Sequence, residues 1–100
     1  MSELKLFIDT HNRESGTFPQ QISPSEFAEF YAGYRQACSE EEVIPLKIFS
    51  DIEQGKAFCL TLAKNVEAVK RAHERVGLPF DSISEVKSIS PKDLYLEIPA

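Results

Sequence analysis

Apolar residues alternate with polar ones along several stretches of this chain and recur every three to four residues along two others. Leu4, Leu6 and Ile8 alternate with Lys5, Phe7 and Asp9, which predicts a first strand over 4–9. No periodicity runs from Thr10 to Ile22, where Asn12, Ser15, Gly16 and Pro19 punctuate a long loop. Ser23, Pro24 and Glu26 then form a helix start: the serine accepts from the Glu26 amide, the glutamate reaches back, and proline suits the first helical position. Phe27, Phe30, Tyr31, Tyr34 and Cys38 follow at helical spacing, a stripe whose simplest role is core, and the acidic run 40–42 ends the helix at a solvated corner. Val43 to Phe49 and Lys56 to Leu62 read as a hairpin, with Pro45 marking its first arm as an edge strand. Asn65 caps a second helix whose apolar stripe is Val66, Val69, Ala72, His73 and Val76, and Gly77 with Pro79 stops it. A last strand is predicted over 84–90, followed by a short tail in which Leu94, Leu96 and Ile98 alternate with polar and aromatic positions.

Strand, helix, strand, strand, helix, strand is the order of an α+β, ferredoxin-like domain: a four-stranded antiparallel sheet in the order 4-1-3-2 with both helices on one face. One hundred residues fill a single core, so we expect one domain with its core over about 4–90 and a tail over 91–100. The large residues Leu4, Leu6, Ile8, Phe58, Leu60 and Leu62 are expected under the helices. Phe7, Asp9, Ala57 and Cys59, with Val43 and Phe49, then fall on the open face. That face is apolar beyond what a soluble monomer exposes, which predicts a homodimer formed face to face through it.

Eleven basic residues against sixteen acidic ones give a net charge of -5, and the basic ones are scattered. No nucleic-acid footprint or affinity for an anionic membrane follows from that pattern. No apolar run approaches a membrane span, and no basic region leads into an apolar signal segment, so a cytoplasmic protein is expected. Cys38 and Cys59 are too few and too unpatterned for a secreted disulfide scaffold and are read as reduced thiols.

Chain direction brings the end of strand one (Asp9, His11), the end of strand two (Asp51), the start of strand four (Glu85) and the last turn of helix two (His73, Glu74) to one edge. Antiparallel pairing sets Cys59 diagonal to Asp9. A carboxylate, an imidazole and a thiolate suit zinc, nickel or cobalt better than magnesium or calcium. Asp9, His11 and Cys59, with His73, are therefore candidate metal ligands. Each has a plainer reading as well: Cys59 as a small buried hydrophobe, His73 as a satisfied histidine near a helix C-terminus, Asp9 and His11 as turn-capping groups. No nucleophile, base and orienting group can be assembled, so catalysis is not required by these residues.

The stretch Gly55-Lys56-Ala57-Phe58-Cys59-Leu60, the run from Asn65 to Val69, His73, Gly77-Leu78-Pro79, Asp81, Ile83, Glu85-Val86 and the step Asp9-Thr10-His11 resemble a family of small bacterial proteins of unknown function. Its characterised members are nickel-binding proteins with a dimeric ferredoxin-like fold. The resemblance runs from Lys5 to Ile89. It implies a homodimer and a divalent transition metal, nickel or alternatively zinc, for buffering, storage or sensing, with His11 and His73 the first positions to carry over, then Asp9 and Cys59. The alternative is a small-molecule-binding dimeric α+β barrel, such as a cofactor-independent oxygenase or isomerase, a reading that rests on fold analogy.

Overall fold

Each predicted element forms, with shifted ends. The computed structural model describes residues 3–87 and residue 89. It contains β1 (Lys5–Asn12), a 3-10 turn (Arg13–Ser15), α1 (Pro24–Glu40), β2 (Ile44–Asp51), β3 (Lys56–Ala63), α2 (Val66–Arg75) and β4 (Ser82–Val86). The strands make one sheet in the order β2-β3-β1-β4, every neighbouring pair antiparallel, which is the expected ferredoxin-like order read from its other edge. The predicted last strand begins two residues earlier than expected, and its end at Ser90, like the tail over 91–100, lies outside the described residues.

Helix α1 starts on the full capping box: the Ser23 hydroxyl accepts from the Glu26 amide, and the Glu26 carboxylate accepts from the Ser23 amide. It ends with Glu42 in the left-handed region at φ 60, where the Val43 amide donates to Cys38 across the turn. A side chain is strained at that φ, so Glu42→Gly should raise stability by about 0.5–1 kcal/mol in denaturant unfolding, since only glycine is free of the strain there. Helix α2 is capped by the Asn65 side chain, which accepts from the Ala68 amide at 2.9 Å.

The sheet faces are the reverse of the expected ones. Phe7, Ala57, Cys59 and Ala63 are buried beneath the helices, where Phe7 and Ala63 join Tyr34 and Cys38 of α1 and Val69 and Ala72 of α2 in the core. Leu6, Ile8, Leu60 and Leu62 lie on the other face, only partly covered, and Phe58 there is 43% exposed. Both faces are apolar, so alternation alone does not choose between them. The helices cover the smaller set, and α1 brings bulky aromatics of its own over alanine, cysteine and threonine. Alternation also breaks inside β2, where a bulge between Pro45 and Lys47 sends Ile48 inward opposite Cys59 and Phe49 outward opposite Phe58. As predicted from Pro45, β2 is an edge strand.

The turn between β2 and β3 closes on Gly55, at φ 71. A Cβ there would stand 2.6 Å from the Cβ of Arg13, while the Gly55 carbonyl accepts from the Arg13 amide. Gly55→Ala is therefore expected to lower stability by roughly 1–3 kcal/mol, combining strain at positive φ with displacement of Arg13, as read from thermal unfolding.

Candidate metal centre

Strand β1 runs three residues further than its alternation predicts, so Asp9 and His11 sit in the strand, two apart and on the same helix-covered face. Helix α2 lays His73 over them. All three are buried: Asp9 and His73 are fully shielded from solvent and His11 is 5% exposed. One oxygen of Asp9, Oδ1, stands 2.7 Å from His11 Nε2 and 3.3 Å from His73 Nε2. The carboxylate and the two imidazoles offer ligand atoms that all lie within 4.8 Å of one another.

Backbone carbonyls decide which nitrogen of each ring faces the carboxylate. His11 Nδ1 lies 2.8 Å from the Pro79 carbonyl and 3.2 Å from that of Thr17; a carbonyl only accepts, so Nδ1 carries a proton. His73 Nδ1 donates likewise to the Val69 carbonyl one turn back in α2, at 2.8 Å. Both rings thus turn Nε2 toward Asp9. This is the arrangement in which backbone acceptors orient imidazoles as metal ligands.

Burial works to raise the Asp9 pKa, but the imidazoles of His11 and His73 outweigh it and hold the carboxyl below its ordinary 3.8. Burial likewise works to lower that of His11, and the hydrogen bond and charge of Asp9 overcome it, so the ring titrates above its ordinary 6.5. The resting pair is therefore an imidazolium and a carboxylate. His73 Nε2 and Asp9 Oδ2 are left buried with no hydrogen-bond partner among the described residues. Unpaired buried groups of this kind are costly, and two of them meeting at one point mark a place built for something further.

Rings close the centre from water. His11 and His73 stack with centroids 5.6 Å apart, and Tyr34 and Phe80 stand edge-on to His73 at 5.0 and 5.2 Å. Sequence reasoning assigned Tyr34 to the core and did not single out Phe80, whose role follows from the chain reversal at Gly77–Pro79 rather than from any periodicity.

The candidate ligands divide. Asp9, His11 and His73 come together; Cys59 lies directly opposite Asp9 in the β1–β3 ladder rather than diagonal to it, buried beside the cluster. Burial and the adjacent Asp9 carboxylate push the Cys59 thiol far above the usual thiol range, so it rests as S–H. The other acidic groups expected at this edge are elsewhere. Asp51 accepts from the Gln54 amide in the hairpin turn, and Glu85 pairs with Phe7 further along the sheet. The acidic residue at the centre's edge is Asp81, whose Oδ1 accepts from the Ser15 hydroxyl at 2.6 Å and the Thr17 hydroxyl at 2.9 Å. That latch holds the loop whose Thr17 carbonyl faces His11.

Two imidazole nitrogens and one carboxylate oxygen match borderline divalent metals of the first transition row, whereas magnesium and calcium favour all-oxygen sites. The comparisons with known proteins point the same way. No curated protein matches the chain. Among solved structures, the crystal structure of SCO4226 from Streptomyces coelicolor A3(2) is similar, with a TM-score of 0.71 and 27% identity over 85% of this chain and 99% of that one. The family model for nickel responsive, SCO4226-like proteins matches residues 7–86, a span that contains every ligand of the centre. With four-fifths of its length matched in this way, the chain belongs to the SCO4226-like family of nickel responsive proteins.

Proposed function

We propose that each chain binds one divalent transition-metal ion, nickel by the family's description, through Asp9, His11 and His73, in order to buffer, store or sense it. One observation carries this reading. Two imidazole nitrogens oriented by backbone carbonyls and a carboxylate oxygen converge within 4.8 Å of one another in a buried site, where His73 Nε2 and Asp9 Oδ2 have no hydrogen-bond partner among the described residues. Equilibrium dialysis of untagged protein against nickel should give one ion per chain, and His11→Ala and His73→Ala should each weaken binding at least tenfold. No stoichiometric metal, or binding by both variants unchanged from the parent, would overturn the proposal. Cys59, one strand over from Asp9, is placed to join the coordination only once a bound ion has drawn off its proton.

A homodimer through the open sheet face remains the second part of this reading. Phe49 and Phe58 pair across strands there at 53% and 43% exposure, with Ile44 and Leu46 exposed beside them and Leu60 and Leu62 half-covered. A single isologous contact between two such sheets covers all of them at once. Phe58→Asp should convert the protein to a monomer in sedimentation at micromolar concentration; a wild-type monomer would sink the idea. Among the described residues no helix is long and apolar enough to cross a membrane. Cys38 and Cys59 are free thiols. We therefore place the protein in the reducing cytoplasm.

A further inference from the structure

On the helix side of the sheet, between α1, the 13–22 loop and the Gly77–Pro79 turn, lies a cavity of about 300 Å³. The aromatic stripe of α1 forms one wall of it: Phe27 and Phe30 lie outside the core cluster, while Tyr31 and Tyr34 face both the cavity and the core. Phe27, Phe30 and Tyr31 line the cavity, and Phe30 is 43% exposed although it belongs to the wall, which places it at the mouth. Phe18 and Ile48 complete the apolar wall, and Cys59 and His11 form its inner end.

Three properties of this space set its chemistry. First, it is held open by polar bonds rather than by chance. Arg13 donates to the carbonyls of Pro19, Ile52 and Glu53 and lies over the Phe18 ring at 5.4 Å, while Asp81 takes the Ser15 and Thr17 hydroxyls. These bonds pin the loop while its Phe18 ring packs on Phe27 of α1, centroids 6.1 Å apart, and the space left between loop, helix and sheet is a preformed pocket. Second, among the described residues no lysine, arginine, aspartate or glutamate lines it, and the one imidazole among them in the wall is already paired with Asp9. A charged guest would be buried without a counter-ion. Third, its size is selective: an apolar cavity of about 150 Å³ holds benzene, so twice that volume takes a substituted ring or two fused rings.

We propose that this cavity is a binding site for a small, uncharged aromatic compound of one or two rings, packed against the stacked Phe18–Phe27 pair and Tyr31 and reaching Cys59 at the inner end. The site lies on the face of the sheet opposite the proposed dimer contact, inside one chain. It does not depend on metal binding at the neighbouring cluster.

The test uses 2-naphthol, whose own fluorescence is read directly because the chain contains no tryptophan. Wild-type protein, metal-free, is expected to bind one molecule per chain with half-saturation at roughly 0.1 mM or below. Ala57→Leu, which fills the cavity from its floor, should weaken binding at least tenfold, and the anion 2-naphthoate should bind the wild type at least tenfold more weakly than 2-naphthol. Phe30→Ala, at the exposed mouth, should weaken it at least threefold and serves as the second variant should Ala57→Leu not fold. Three results overturn the proposal: no saturable binding up to millimolar 2-naphthol, binding unchanged in the cavity variants, or binding lost in Phe58→Asp and kept in Ala57→Leu, which would put the probe on the open face. Failure to bind nickel leaves these outcomes unaffected, so the two readings fall separately.

Discussion

Asp9→Asn is expected to lower nickel affinity at least a hundredfold and to reverse the way metal-free stability responds to acid. The first effect follows from geometry: Asp9 is the group both histidines face, and an amide oxygen is a neutral, weaker ligand than a carboxylate. The second follows from linkage. In the wild type, His11 titrates above its unfolded value of 6.5, so its contribution is fully present below that pH and is lost as pH rises through the folded pKa. Asp9 titrates below its unfolded value of 3.8, so its contribution is present above that pH and is lost as pH falls through the folded pKa. The pair therefore stabilises the fold most between about pH 4 and 6.5. Without the carboxylate, burial, the largest influence on His11, is opposed only by its hydrogen bonds to the Pro79 and Thr17 carbonyls; it depresses the pKa, so stability falls as pH drops below about 6.5. Urea unfolding of both proteins at pH 5 and pH 7.5 checks this: the variant should lose about 1–3 kcal/mol more at pH 5 than at pH 7.5 relative to wild type. Parallel pH profiles would show that Asp9 does not hold the charge on His11.

Metal binding to the wild type should release a proton and stabilise the fold strongly. His11 Nε2 carries the proton shared with Asp9, and a metal on that nitrogen must displace it. Affinity is then expected to rise about tenfold per pH unit up to the folded pKa of His11 and to level off above it. Calorimetry in two buffers of different ionisation enthalpy counts the proton. At a hundred times the dissociation constant the native state gains about 2.7 kcal/mol, which for a domain of this size raises the unfolding midpoint by roughly 10–20 °C. A midpoint that stays put with nickel, together with no buffer dependence of the heat, would mean that the cluster is not the binding site.

These effects trace to residues whose placement the one-dimensional pattern reveals only in part. Ser23 with Glu26, Asn65, and Pro45 speak through local chemistry, a cap or a missing donor, and the helix starts and the edge strand follow from them directly. His73 on the α2 stripe and Asp9-Thr10-His11 after the first strand are legible as candidate ligands because chain direction alone brings them to one end of the sheet. The face they occupy is not legible. Leu6, Ile8, Phe58, Leu60 and Leu62 outweigh Ala57, Cys59, Thr61 and Ala63 in hydrophobicity, and a rule that buries the greater apolar mass puts Asp9 and Cys59 on the wrong side.

What the sequence by itself determined is the order of elements, the ferredoxin-like topology and the identity of the residues able to hold a metal, because caps, periods and connection rules act over a few neighbours at a time. What only the tertiary structure decided is which sheet face the helices cover, that β1 extends past His11, which nitrogen of each imidazole points inward, and that the aromatic stripe of α1 lines a cavity. Those outcomes depend on the fit of α1 aromatics over small strand residues and on carbonyls of Thr17, Val69 and Pro79, groups that every residue carries and that acquire meaning only when the chain brings them to a ring nitrogen.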